Sequence, residues 1–182
     1  MHPPPISPRL SQSTTSLCLA AVQWVRPPGP DSNPSYHLRA SILCISGAGI
    51  AQVAAHNGFT VTLCDSSEKA LDTGRMVIQQ SLARLAKNTH PEDKSAQNQL
   101  VQSVFDNIRT TTDPVDALSS ADMVVEAIRE DLKLKQDLFR LLDRKAAPEC
   151  IFATNTNTLS VGDIASSTNT NRRSRYSVLQ IF

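Results

Sequence analysis

The stretch Ile42–Asp65, ILCISGAGIAQVAAHNGFTVTLCD, decides the predicted fold. A short apolar strand, a glycine turn, a small-residue helix and a second strand that ends in an acid follow one another in it. This order is typical of a βαβ unit in which a glycine turn and a helix N-terminus hold the pyrophosphate of a dinucleotide. The predicted elements are the strand Ile42–Ile45, the turn Ser46–Gly49, the helix Ile50–Asn57, the helix stop Gly58, the strand Thr60–Cys64 and the acid Asp65.

The glycine pattern of this unit is incomplete. In one register Gly47 and Gly49 are the first two glycines of Gly-x-Gly-x-x-Gly, and Gln52 replaces the third. In the other register Gly47 is the third glycine and the first two are missing. Asp65 lies 18 residues after Gly47, close to the spacing of about 20 expected for an acid that binds a ribose. Such an acid favours NAD over NADP, because a 2′-phosphate would meet its negative charge.

Composition narrows the class of protein. The 182 residues carry a net charge of +1, so bulk electrostatics implies neither a nucleic-acid partner nor an acidic membrane surface. No apolar run approaches the roughly 20 residues of a membrane span. The four cysteines form no Cys-x-x-Cys pair, and we expect reduced thiols and no metal site.

Residues 1–41 differ in composition from residues 42–182. They contain eight of the eleven prolines and no lysine or glutamate, and such a segment buries too little apolar area to offset its ordering entropy. We therefore expect a disordered tail followed by one dinucleotide-binding domain at 42–182. The arginines and serines of the tail are compatible with a mitochondrial targeting segment, and an extension without function is the alternative.

Strands and helices alternate along the rest of the chain, which predicts a doubly wound parallel α/β sheet. Helix N-caps are expected at Ser66 or Ser67, Asp113, Asp131 and Ser160. Glu126 is unusual inside an apolar strand, because a buried carboxylate needs a partner. Beyond Asp65 the predicted strands are Asn107–Thr110, Ala121–Ile128, Cys150–Ala153 and Tyr176–Phe182.

Three motifs occur in a fixed order: GAGIAQVAAHNG from Gly47, VVEAIREDLKLKQDLF from Val124 and IFATNTNTL from Ile151. With them the chain resembles, from Gly47 to Phe182, the NAD-binding domain of the 3-hydroxyacyl-CoA dehydrogenases of fatty-acid β-oxidation. The resemblance implies NAD as cofactor and an acyl-CoA as substrate. It also implies the second glycine register, without the preceding Gly-x-Gly-x-x piece.

The resemblance also implies the roles of individual residues. Asp65 matches the acid that binds the adenosine ribose. The other positions implied near the cofactor are Gly47, Gly49, Glu130, Lys135 and Asn157, and those implied near coenzyme A are Ser81, Lys87 and Asn88.

The catalytic positions depart from the family pattern. The family histidine that accepts the hydroxyl proton lies in a Leu-His-Phe-Phe-Asn-Pro run, and the matching run here is Leu179–Phe182, with Gln180 in place of the histidine. An amide cannot accept a proton at neutral pH. Asn157 stands where the family has a serine that touches substrate and nicotinamide. No catalytic residue is therefore intact.

We expect a truncated 3-hydroxyacyl-CoA dehydrogenase domain that is inactive alone. The resemblance implies that a helical C-terminal domain forms a homodimer in the family, and we expect this sequence to lack that domain. The alternative is a non-catalytic module that binds NAD(H) or pairs with a full-length subunit. The expected location is the mitochondrial matrix, with the cytoplasm as the alternative.

Overall fold

The computed structural model describes residues 18–22, 45–118, 121–173 and 175–178. The strands in these ranges are β1 (Cys18–Val22), β2 (Val61–Asp65), β3 (Ile108–Thr111), β4 (Met123–Glu126), β5 (Ile151–Thr154) and β6 (Tyr176–Val178). The helices are α1 (Ile45–His56), α2 (Glu68–Thr89), α3 (Lys94–Phe105), α4 (Pro114–Leu118), α5 (Leu132–Asp143), α6 (Val161–Ala165) and α7 (Thr170–Arg173). The strands form one sheet in the order β3-β2-β1-β4-β5-β6.

Five of these six strands run in the same direction. β2 pairs with β3, β4 with β5 and β5 with β6, all in parallel. β1 lies between β2 and β4 and is antiparallel to both, so β2 and β4 are parallel to each other. The predicted α/β class with a doubly wound sheet is confirmed, with one antiparallel strand at its centre.

The central strand does not come from the predicted segment. The sequence favoured Ile42–Ile45 as the first strand, but Ile45 is the first residue of α1, and 42–44 lie outside the described residues. Cys18–Val22 fills the central position instead, although disorder was expected for the whole of 1–41. The sequence CLAAV is small and apolar, as a strand between two neighbours requires. The prolines and serines on both sides of this short apolar segment led to the prediction of disorder.

Gly47 and Gly49 lie inside α1 and not in a turn before it. The predicted helix Ile50–Asn57 therefore begins at Ile45 and ends at His56. Glycine also adopts helical backbone angles, so it continues a helix where no turn is imposed on it. Gly58 has a φ of +85° and ends the helix as predicted.

The helices cover both faces of the sheet. α1, α2 and α3 pack against one another, and α5 packs against α4 and α6. The crossover from β2 to β3 and the crossover from β4 to β5 move in opposite directions along the sheet. Right-handed connections therefore place their helices on opposite faces. The fully buried side chains between these layers include Leu63, Ile78, Leu82, Val124, Phe139 and Phe152.

Four predicted N-caps are confirmed. A capping side chain accepts a hydrogen bond from a free N–H of the first helical turn, which has no partner within the helix. Ser67 accepts from the N–H of Ala70, Asp113 from Val115, Asp131 from Leu134 and Ser160 from Asp163.

Two absences hold for the part of the chain that the structure describes. None of its helices is both long enough and apolar enough to cross a bilayer. Its histidines, cysteines and acids form no group of three that could hold a metal ion.

Candidate functional site

Three polar side chains end parallel strands at one edge of the sheet. Asp65 ends β2, Glu126 ends β4 and Thr154 ends β5. Since these strands run in the same direction, their carboxyl ends lie at the same edge, which we call the carboxyl edge. In open α/β sheets ligands bind in the crevice outside the carboxyl ends of the strands. The carboxyl edge is therefore the candidate site.

The N-terminus of α1 lies at this same edge. α1 ends at His56, and β2 begins at Val61, so a short connection at the opposite edge reverses the chain. The Asn107 side-chain amide, just before β3, donates to the Ala55 carbonyl at 3.1 Å and fixes this end of α1. The first turn of α1, with Gly47, consequently returns to the carboxyl edge. Its free N–H groups and partial positive charge favour an anion there.

Asp65 is buried at the end of β2. The residue is 1% exposed, and the Ser66 hydroxyl donates to Asp65 Oδ1 at 3.1 Å. In the sheet its backbone is paired with Cys18 of β1. A ligand hydroxyl can reach the carboxylate only when the atoms that cover it are displaced.

The cysteine thiols of the core are held in the protonated form. Burial raises the pKa of Cys64 to about 12, and the neighbouring Asp65 carboxylate adds to the rise. Burial likewise raises the pKa of Cys150 to about 12. Because the thiolate is the nucleophile, both residues are inert toward electrophiles in the folded protein.

We therefore expect Cys64 and Cys150 to resist iodoacetamide near pH 8 in the native protein and to react after unfolding in urea. Peptide mass spectrometry of both samples measures the labelled fraction of each cysteine. Labelling of Cys64 at equal rates in the two samples would show that the end of β2 is open to solvent.

Glu126 and Lys135 form a buried ion pair below the carboxyl edge. Both side chains are 0% exposed, and Lys135 Nζ lies 2.7 Å from Glu126 Oε1. Lys135 also donates to the Ile128 carbonyl, and the Ile128 N–H donates to Oε1. Burial raises the pKa of Glu126, and the opposing effects of Lys135, Thr154 and the Ile128 N–H offset this only in part.

Glu130 connects the two loops that leave β4 and β5. Its carboxylate accepts from the Thr156 hydroxyl at 2.7 Å and from the Asn157 N–H at 2.8 Å. Thr156 is buried at 3% exposure, whereas the side chains of Glu130 and Asn157 are exposed. The structure thus brings Glu130 and Asn157 together at the carboxyl edge, with Asp65 at the end of a strand of the same edge.

The remaining predicted positions lie elsewhere. Ser81 is half-buried on α2, and Lys87 and Asn88 are exposed near the end of that helix. At 1.5 Å per residue they lie about 20 to 30 Å along α2 from its first residue. Gln180 lies outside the described residues.

A second polar cluster lies at the opposite edge of the sheet. The Arg172 guanidinium donates to Asp143 at 2.7 Å and to the carbonyls of Ala147, Cys150 and Ala146. It lies 4.7 Å from the centre of the Phe152 ring. A cavity of about 530 Å³ is lined there by Asp143, Ala146, Pro148, Asn169, Asn171 and Arg172. All the donors of Arg172 named here are directed at the protein, so this cluster is structural.

Sequence analysis missed part of the carboxyl-edge network. It showed that Glu126 needs a partner, but the partner, Lys135, is nine residues away on the next helix. Thr154 and Thr156 belong to the IFATNTNTL motif, but the motif assigned no role to their hydroxyls. Their hydroxyls are engaged with Glu126 and Glu130 respectively.

The chain was compared with known proteins and structures. It is 43% identical over 138 residues to the mitochondrial hydroxyacyl-coenzyme A dehydrogenase of Rattus norvegicus, covering 76% of this chain and 43% of that protein. The human protein of the same name is 42% identical over the same shares. This chain therefore spans less than half the length of these relatives.

Solved structures give the same result. The (S)-3-hydroxybutyryl-CoA dehydrogenase of Ralstonia eutropha matches with a TM-score of 0.67 and 30% identity, covering 76% of this chain and 46% of that chain. The 3-hydroxybutyryl-CoA dehydrogenase of Escherichia coli matches with a TM-score of 0.65 and 30% identity, covering 75% of this chain and 27% of that chain. The family model described as "3-hydroxyacyl-CoA dehydrogenase, NAD binding domain" matches residues 45–179. The chain therefore belongs to the 3-hydroxyacyl-CoA dehydrogenase family, within its NAD-binding domain.

Proposed function

We propose that this domain binds NAD(H) at the carboxyl edge, as the cofactor-binding part of an enzyme that oxidises 3-hydroxyacyl-CoA to 3-oxoacyl-CoA. The observation that supports the proposal most strongly is the family match over residues 45–179. The sheet in that range carries Asp65 at the end of β2 and Glu130 and Asn157 in the loops after β4 and β5. NAD, when bound, supplies the acceptor for the hydride that leaves the substrate.

The residues at the carboxyl edge fit such a cofactor chemically. The N-terminus of α1 suits a pyrophosphate, and a Cβ placed on Gly49 would meet nothing within 4 Å, so the helix surface there is open. Once the atoms that cover it are displaced, Asp65 is an acceptor suited to two ribose hydroxyls. Glu130 holds the backbone of Asn157, which leaves the exposed Asn157 amide to donate or accept. These features support Gly47, Gly49, Asp65, Glu130 and Asn157 as cofactor-site residues.

The experiment that tests cofactor binding is a titration with NADH followed by its fluorescence. Hydrogen bonds to a charged group contribute about 1.5–3 kcal/mol each, so Asp65→Asn should weaken NADH binding about tenfold to a hundredfold. Asp72→Asn removes the same charge from an exposed position on α2 and should leave the affinity unchanged. The proposed site would be contradicted if NADH fluorescence did not change at millimolar NADH, or if Asp65→Asn bound NADH as tightly as wild type.

We propose acyl-CoA as the substrate class, with Ser81, Lys87 and Asn88 on α2 as coenzyme A contacts. The resemblance of this sequence to complete dehydrogenases supports that assignment. Gln180 stands at the position of the family's general base, and such a base contributes typically about 10²–10⁴-fold to the rate. This polypeptide alone is therefore proposed to be inactive as a dehydrogenase.

A second candidate function is a non-catalytic NAD(H)-binding module that pairs with a full-length subunit. The amide of Gln180 favours it, because the module would bind cofactor without accepting a proton. The dimeric arrangement of the family supports such pairing. The rat and human relatives are named as mitochondrial, which supports the mitochondrion as the location. We propose a role in β-oxidation in the matrix, with the cytoplasm as the alternative location.

A further inference from the structure

β1 begins at the carboxyl edge of the sheet, because it is antiparallel to both of its neighbours. Its first residue, Cys18, is paired with Asp65, the last residue of β2. Its second residue, Leu19, is paired with Glu126, the last residue of β4. The chain therefore enters the sheet between the carboxyl ends of β2 and β4. A parallel strand in this position would leave the sheet there instead.

The place of entry coincides with the proposed cofactor crevice. The crossovers on the two sides of β1 move in opposite directions along the sheet, and in such a fold a dinucleotide lies across the crevice at this switch point. Asp65 at the border of the crevice is 1% exposed, so atoms of the protein already fill space that a ribose needs. The family match begins at residue 45, so β1 lies outside the part that this chain shares with the family model.

Residues 1–17 lead directly into β1. They lie outside the described residues, but the peptide bond to Cys18 joins them to the chain at the crevice. Five of the six residues at 11–16 carry a hydroxyl group, and a hydroxyl can donate to a carboxylate as a ribose hydroxyl does. The chain itself therefore supplies, next to Asp65, the kind of donor that this carboxylate would take from a cofactor.

The charges at the end of β2 complement this segment. Burial raises the pKa of Cys64, and the negative charges of Asp65, Asp113 and Asp116 raise it further. Arg109 lies 3.7 Å from Asp116 and offsets one of these charges. Residues 1–17 contain one arginine and no acid, so this side of the carboxyl edge attracts them.

We propose that residues 1–17 occupy the crevice beside Asp65 when no cofactor is bound, and that they compete with NAD(H) within the same chain. This competition rests on the proposed NAD(H) binding. A ligand that needs the open crevice binds with an affinity reduced by the fraction of molecules in which the crevice is open. By linkage, the cofactor weakens the docking of the segment by the same factor by which the segment weakens cofactor binding.

Trypsin measures the release of the segment in the unaltered chain. Arg9 is the single lysine or arginine of residues 1–17, and cleavage follows the open population when opening and closing are faster than cleavage. Saturating NADH should raise the rate of cleavage after Arg9 about tenfold. Cleavage after the exposed Lys145, which follows α5 at the opposite edge, should not rise. An equal rate after Arg9 with and without NADH would overturn the proposed competition.

Deletion of residues 2–17 removes the proposed competitor and none of the described residues. We expect the Kd for NADH, followed by its fluorescence, to fall about tenfold. A second variant keeps the length of the chain, removes hydroxyls next to β1 and should shift the Kd in the same direction: Ser13→Ala/Thr14→Ala/Thr15→Ala/Ser16→Ala. Its matched control carries as many substitutions far from Cys18 and should leave the Kd unchanged: Pro3→Ala/Pro4→Ala/Pro5→Ala/Ser7→Ala.

The same titrations separate a failure of the competition from a failure of the proposed function. If the full and the shortened chain bind NADH with equal Kd, the competition is overturned and the proposed function stands. If neither chain binds NADH, the proposed function is overturned and the competition with it. If the Kd of the full chain rises with protein concentration, the competitor is the segment of a second copy, which contradicts competition within one chain.

Discussion

Lys135→Met is expected to lower the free energy of unfolding by about 3–5 kcal/mol. The substitution keeps an unbranched side chain, one heavy atom shorter, but leaves the Glu126 carboxylate, which is 0% exposed, without its cation. The Ile128 carbonyl loses a donor as well. Urea unfolding followed by circular dichroism measures the change.

The loss of unfolding free energy in Lys135→Met should depend on pH. Lys135 lowers the pKa of Glu126, so its removal raises that pKa further above the value in the unfolded chain. A carboxyl whose folded-state pKa is raised makes folding less favourable as pH rises from the unfolded value toward the folded one. The penalty of Lys135→Met should therefore be smaller near pH 4.5, the ordinary glutamate value, than near neutrality.

The control for this prediction is Lys133→Met. Lys133 is 84% exposed and pairs with Asp137 on the surface of the same helix, where an ion pair contributes at most about 1 kcal/mol. A loss in Lys135→Met no larger than in Lys133→Met would mean that the core relaxes around Glu126 or admits water.

Arg172→Met is expected to lower the free energy of unfolding by about 3–5 kcal/mol as well. The Arg172 side chain is 4% exposed, and its ion-pair partner Asp143 is 12% exposed. The guanidinium also satisfies the carbonyls of Ala146, Ala147 and Cys150, which would be left without this donor. Since it joins the end of α5 to the start of β5, its loss should affect the global transition and not only a terminal helix.

Thermal and urea unfolding of Arg172→Met test this expectation, with Arg140→Met as the control. Arg140 is 49% exposed and bonds to Asp137 on the surface of α5, so its removal should cost no more than about 1 kcal/mol. If the two variants lose the same free energy of unfolding, the hydrogen bonds of Arg172 stabilise the fold no more than a surface contact does.

Much of the fold was predictable because local signals agreed. Asp131 and Ser160 each precede a helix, and each caps it as expected. The apolar strands that end at Asp65 and Glu126 lie in the sheet close to the predicted positions. In these segments propensity, capping and tertiary burial favour the same structure.

Features that depend on tertiary packing were not predictable from local sequence patterns. Ile42–Ile45 and Cys18–Val22 are both short apolar segments, and only packing between β2 and β4 decides which one fills the centre and in which direction. The burial of Asp65 to 1% exposure follows from that same packing. The sequence predicted that Glu126 needs a partner but did not identify that partner. Lys135 reaches Glu126 only after α5 has folded back onto the sheet.

The antiparallel centre of the sheet has a consequence for the order of folding. β1 joins Cys18 to Asp65 and Leu19 to Glu126, contacts that close chain loops of 47 and 107 residues by the sequence numbering. Loop closure costs about 0.6 kcal/mol more for each doubling of length, and non-local pairing slows folding. Only the second wing joins nearer segments: β4 and β5 are 28 residues apart (Met123 to Ile151) and β5 and β6 are 24 apart (Phe152 to Tyr176), whereas β2 and β3 are 47 apart (Val61 to Ile108). We therefore expect the pairing of β1 with β4, which closes the longest loop of the sheet, to form last.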